Sequence, residues 1–134
     1  MPRFVWPLER GQPVVHLYLR EPGTGILLPR VMLADTGAGN ANLPIELVLS
    51  ERDVARFGQR GTTTLISSGA IRGEFATASV RIELLALSIN RDASVMVVPF
   101  AELPQGLDGI VTDRFLNEFT FGNFGDRTSF GLEL

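Results

Sequence analysis

Asp35-Thr36-Gly37-Ala38 leaves the apolar run Val31-Met32-Leu33-Ala34, and no other grouping in the sequence is better suited to chemistry. A lone carboxylate cannot be acid and base at once. Two carboxylates held about 3 Å apart cannot both ionise, so one keeps a proton while the other loses it. Such a pair can activate water and protonate a carbonyl together, with no covalent intermediate. The chain has 134 residues and no second copy of the tetrapeptide, so if Asp35 is one member of a pair of equivalent carboxylates its mate comes from a second molecule. A plain strand-exit turn is the competing interpretation, because Asp bonds nearby backbone and Gly accepts positive φ.

Other chemistries find less support. There is no Cys, and the single His, His16, alternates within Val14-Val15-His16-Leu17-Tyr18-Leu19 as a strand residue would. A Cys/His metal site and a Cys-His nucleophile are therefore not expected. None of the seven serines sits in a Gly-x-Ser-x-Gly elbow. All twelve basic residues are Arg, which removes a Schiff-base lysine and a P-loop lysine. A net charge of −3 gives no electrostatic case for nucleic acid or an anionic membrane. No stretch approaches the apolar length of a membrane span and Met1-Pro2-Arg3-Phe4 lacks a signal-peptide core, so a cytoplasmic protein without metal or other cofactor is the expectation.

The elements that must carry Asp35 are mostly strands. Fourteen glycines and eight prolines favour turns over long helices, and the length suits one domain spanning 1–134. Val14 to Leu19 and Ile26 to Ala34 predict a hairpin around Glu21-Pro22-Gly23-Thr24-Gly25, with Asp35 at its exit. Ile45 to Leu49 predicts a short strand. Ser50-Glu51-Arg52-Asp53 then caps a helix that ends at the glycine stop Gly58, so Glu51 and Asp53 are assigned to the cap. Thr62 to Ile66 and Ile71 to Leu85 predict a second hairpin tipped by Ser67-Ser68-Gly69-Ala70, followed by Ile89 and by Ser94 to Val98. Leu107-Asp108-Gly109-Ile110-Val111-Thr112 leads into a short helix at Asp113-Arg114-Phe115-Leu116, and closing strands follow.

Together, the Asp35-Thr36-Gly37-Ala38 loop, the Ser/Gly hairpin and the Asp108 to Leu116 block resemble the single-domain retropepsin-like aspartic proteases, over about residues 14 to 134. The resemblance implies a mostly-β, closed acid-protease barrel of one lobe, with a flap hairpin and one or two short helices. It implies an aspartic endopeptidase working as a homodimer on peptide or protein substrates. Asp35, Thr36 and Gly37 would be catalytic, Thr36 bracing the paired loops with its hydroxyl. Ala38, Gly39 and Asn40, the hairpin residues Ser67, Ser68, Gly69, Ala70 and Ile71, and Ile110 and Val111 would bind substrate. Strands from the termini, Met1 to Trp6 and Ser129 to Leu134, would join the subunits, with Trp6 either at that interface or in the core.

The chain departs from the family pattern at three places. Thr112 stands where the family has Gly after two hydrophobics, and a β-branched residue there would cost about 1–3 kcal/mol if the backbone needed positive φ. Gly39-Asn40 follows the catalytic motif where viral members often have acids. Asp113-Arg114 inverts the usual order at the helix head. A non-catalytic peptide-binding or assembly module on the same scaffold is the alternative, and a hydrolase pairing Asp108 with Glu118 is a third possibility.

Overall fold

The computed structural model describes residues 2–36, 44–68 and 71–134. In chain order its strands are β1 (Arg3–Pro7), β2 (Val14–Arg20), β3 (Leu27–Ala34), β4 (Leu47–Ser50), β5 (Gly58–Ser68), β6 (Arg72–Leu84), β7 (Ile89–Val98), β8 (Gly109–Val111), β9 (Thr120–Gly122) and β10 (Ser129–Glu133). Two short helices, α1 (Glu51–Phe57) and α2 (Asp113–Leu116), interrupt them. The expectation of a mostly-β chain is met.

Hydrogen bonding runs from β2 through β3, β8, β4 and β7 to β6, and β6 pairs back onto β2. Six strands thus close on themselves and leave no open edge in the barrel. Its distinctive join is β8, which lies parallel to β3 and antiparallel to β4, between two strands that are neighbours in sequence. The chain thus leaves β3 at Asp35 on one side of β8 and enters β4 after Glu46 on the other.

Alternation along these strands explains why they hold this register. Leu47, Leu49, Val95, Val97 and Val111 point into the main core, while Val48, Met96, Val98 and Ile110 form a second apolar cluster on the opposite face. All four residues of β4 are buried because both of its faces are covered. A one-residue slip of β4 would exchange the sets that fill the two clusters. Each such side chain stabilises the fold by about 1.5–3 kcal/mol on burial.

β5 and β6 form the long hairpin, which extends beyond the barrel. Between Arg60 and Thr64 on β5 the partner strand advances only from Ala78 to Ala76, so β5 carries extra residues in a bulge. Bulges bend a strand and increase its twist. A Cβ at Gly61 would come within 2.7 Å of Thr77 Oγ1, so glycine permits the close approach at this bend. Beyond it, Leu65 pairs with Phe75 and Ser68 with Arg72.

Helix α1 begins as the sequence requires, with Ser50 Oγ accepting the Asp53 N–H at 3.2 Å. Its two other features differ from expectation. The Asp53 carboxylate grips the Arg30 guanidinium through two 2.8 Å hydrogen bonds, tying α1 to β3 as well as sitting in the helix's first turn. Gly58 is extended at φ −107°, not left-handed, and a Cβ there would lie 3.0 Å from the Val54 carbonyl oxygen. The glycine is needed for space rather than for φ.

The chain termini form a separate three-stranded sheet, ordered β1-β10-β9. Within one chain, Arg3 pairs with Glu133 and Pro7 with Ser129, and Arg3 Nε donates to Glu133 Oε2 at 2.7 Å. Trp6 is 6% exposed in the main core and stacks on His16, with ring centroids 5.8 Å apart and planes 7° apart. Of the two places considered for Trp6, the chain puts it in the core. Among the described residues, no helix is long and apolar enough to cross a membrane.

Two surface carboxylates give the fold an acid limit. Arg56 first and Thr24 second hold Glu21 below its ordinary value by hydrogen bonding, and the Thr128 hydroxyl and amide do the same for Asp126. A carboxyl with a depressed folded pKa contributes stability that is full above its unfolded value of about 4. That contribution disappears as pH falls through the lower folded value. Asp126→Asn is expected to flatten the loss of stability below about pH 4, as read from urea midpoints across a pH series.

Candidate active site

Asp35 follows the last residue of β3, Ala34, and its N–H donates to the Val111 carbonyl at 3.1 Å. The end of β8 thus holds the backbone of the candidate carboxylate. Thr36 is exposed in the turn that follows. Gly37, Ala38, Gly39 and Asn40 lie outside the described residues, as do Gly69 and Ala70 at the hairpin tip.

Where the chain returns to β4, Thr112 holds it. The Thr112 hydroxyl donates to the Ile45 carbonyl at 2.6 Å and lies 3.2 Å from the Glu46 carbonyl, which also accepts the Thr112 N–H at 3.0 Å. Thr112 is 1% exposed, and its backbone is extended at φ −86° and ψ 173°. The concern over a β-branched residue at this position does not apply, because no positive φ is required. Threonine supplies a buried donor that glycine would lack.

Glu46 is fixed from further sides. Its N–H donates to the Ser94 carbonyl at 3.1 Å, and Arg91 holds its carboxylate through bonds of 2.7 and 3.1 Å. The Glu46 hydrogen bond raises the Arg91 pKa further, and Arg91 also reaches both oxygens of Glu118 at 3.1 Å. Arg91 supplies the guanidinium that braces this return segment, whereas Arg114 at the head of α2 makes no such bond among the described residues. Sequence reasoning missed Arg91, Glu46 and Ser94 in this role. Arg91 lies on β7 and Glu46 just before β4, 45 positions apart, and no local pattern joins them.

The long hairpin reaches this end of the barrel. Leu65, Ile71 and Phe75 pack against the second apolar cluster, which contains Ile110, as does Leu33, two residues before Asp35. Ile71 and Ile110 therefore belong to one apolar cluster. Ser67 Oγ donates to the Ile71 carbonyl at 2.5 Å, closing the hairpin turn, and Ser68 pairs with Arg72 through the backbone ladder. The Val111 side chain, fully buried in the main core, faces away from Ile110, so only its carbonyl reaches Asp35. This is a correction to its expected place on a substrate surface, and it follows from the alternation of β8.

The carboxylates of the third possibility have separate structural roles. Asp108 Oδ2 accepts the Val31 N–H at 2.9 Å and the Asp108 N–H returns a bond to the Val31 carbonyl, which pins the start of β8 to β3. Glu118 serves Arg91. Among the described residues, no group of three or more His, Cys, Asp or Glu side chains could hold a metal ion.

No protein-family model matches the sequence, and no curated protein matches it. Among solved structures, the chain is similar to EIAV protease complexed with the inhibitor HBY-793, at 18% identity and a TM-score of 0.45, over 80% of this chain and 86% of that one.

Proposed function

We propose that this chain is one half of an aspartic endopeptidase, a homodimer that hydrolyses peptide bonds with water activated between two Asp35 carboxylates. One observation supports this above the others. Asp35 leaves β3 with its amide held by the end of β8, and the apolar residues of the long hairpin pack on the cluster that contains Ile110. An extended peptide entering there would add as a strand, its side chains received by apolar residues such as Ile71 and Ile110.

The chemistry follows from the shared proton. One Asp35 takes a proton from water as the oxygen attacks the peptide carbonyl, and its mate protonates the carbonyl oxygen. The tetrahedral diol then collapses: the C–N bond breaks as the Asp35 that took the proton from water gives it to the departing amine. The other Asp35 takes back a proton from a diol hydroxyl, leaving the acid product and restoring the shared proton. Thr36 would brace the paired loops through its hydroxyl.

An isologous dimer places equivalent residues across a two-fold axis, as a dyad of one residue type requires. The open edge of β1, with Phe4 42% and Val5 45% exposed, offers backbone and apolar surface for such a contact. Cleavage of a mixed fluorogenic peptide library at mildly acid pH, run with sedimentation over a dilution series, tests this. Below the dimer dissociation constant, specific activity is expected to fall about tenfold for each tenfold dilution, by mass action. A statine-type peptide should block cleavage. Activity per molecule that is unchanged when sedimentation shows only monomer would exclude the shared dyad.

A further inference from the structure

We propose that Thr112 is a positioning residue for Asp35: the Val111-Thr112 dipeptide clamps both ends of the segment that carries the carboxylate. The proposal rests on the assignment of Asp35 as the reacting group. At the entry, the Val111 carbonyl takes the Asp35 N–H at 3.1 Å. At the exit, the Thr112 hydroxyl holds Ile45 at 2.6 Å and the Thr112 N–H holds Glu46 at 3.0 Å. Adjacent residues on one strand end therefore fix where the segment starts and where it stops.

Among the described residues, no other group at the exit duplicates the role of the hydroxyl. Glu46 has additional anchors in Ser94 and Arg91, whereas the Ile45 carbonyl accepts from Thr112 in a buried setting, Ile45 being 5% exposed and Thr112 1%. An acceptor stripped of its donor in such a place favours a shifted backbone that finds another partner. Because Glu46 stays anchored, removing the hydroxyl should act locally, on Thr112 and, through the peptide bond it shares with Val111, on the carbonyl that holds the Asp35 amide. A carboxyl that must share a proton with a mate about 3 Å away tolerates little displacement, and a misplacement of about 1 Å can cost 10²-fold in rate.

Thr112→Val keeps the shape and loses the hydroxyl; Thr112→Ser keeps the hydroxyl. On the mixed peptide library, Thr112→Val is expected to lower kcat by about 10- to 100-fold with KM within about twofold, and Thr112→Ser to retain kcat near the parent value. An activity-free measurement runs beside it. Amide hydrogen exchange at Asp35 should quicken in Thr112→Val and not in Thr112→Ser, while the amides of Val95 and Val97 in β7 keep parental protection. Parental kcat and parental Asp35 exchange in Thr112→Val would overturn the proposal, and so would equal impairment of both variants. If Thr112→Val does not fold, Thr112→Ala removes the same hydroxyl and is judged by the same outcomes. If the parent protein cleaves nothing, the protease assignment falls and the exchange comparison alone decides whether Thr112 holds Asp35.

Discussion

Asp35→Asn is expected to abolish peptide cleavage, with a fall of about 10⁴-fold or more, while the fold stays intact. Asparagine matches aspartate in shape and preserves the backbone bond from residue 35 to the Val111 carbonyl, so the join between β3 and β8 is kept. What it removes is the proton exchange. In a homodimer the one substitution deletes both members of the pair, and general acid and general base each contribute about 10²- to 10⁴-fold. Stability should be close to the parent's or slightly raised, since no carboxylate charge then has to be held between the two subunits. Library cleavage, thermal unfolding and sedimentation on the same preparation check the three parts of the expectation. An Asn variant that cleaves as well as its parent would transfer the chemistry elsewhere. One that binds a statine-type peptide as tightly as its parent and cleaves nothing would fit a catalytic Asp35 in a competent groove.

How far this architecture was legible depends on the range of the interactions that set it. The β2–β3 hairpin was readable because its turn, Glu21 to Gly25, and its apolar strands are contiguous, and the observed ends differ from expectation by a residue. The start of α1 was readable for the same reason: Ser50 and Asp53 are three positions apart and make the cap by themselves. The carboxylate of Asp53 was not, because its partner Arg30 lies on another strand 23 positions away. β4 showed only an apolar run, and it took the insertion of β8 beside it to explain burial on both faces. The bulge at Arg60 to Thr64 has no signature beyond one glycine, and the pairing of β1 with β10 links opposite ends of the chain.

Within the candidate site, the local motif singled out Asp35, while motif comparison counted Thr112 as a departure without access to its backbone. Comparison with a family pattern treats a threonine in place of glycine as a defect, since the usual reason for glycine is a φ that other residues avoid. Here the backbone at 112 is extended, so that reason is absent, and the hydroxyl takes up a buried carbonyl. Whether a substituted glycine is damage or a new contact depends on φ and on the nearest acceptor. Neither quantity is written in the motif.

Gly109 presents the opposite case, a glycine whose replacement should be severe although its φ is unremarkable. It opens β8 between Met32 of β3 and Leu49 of β4, and a Cβ would collide with the Val48 carbonyl oxygen and lie 2.6 Å from Met32 Cε. The methionine end can swing aside; a backbone carbonyl in a paired strand cannot. Gly109→Ala must therefore displace β8, a strand of only three residues, or spread β4 from it. We expect a loss of about 3 kcal/mol, at the upper end of what overpacking costs, with a fall in melting temperature of about 10 °C. The same displacement would move the Val111 carbonyl and Thr112, so activity should drop even at temperatures where the variant remains folded. Urea unfolding with an unchanged m-value and a lowered midpoint checks the first expectation, and library cleavage well below the melting point checks the second. A Gly109→Ala protein as stable as its parent would mean that β8 can move freely between β3 and β4, and a β8 that moves freely could not hold Asp35 in place.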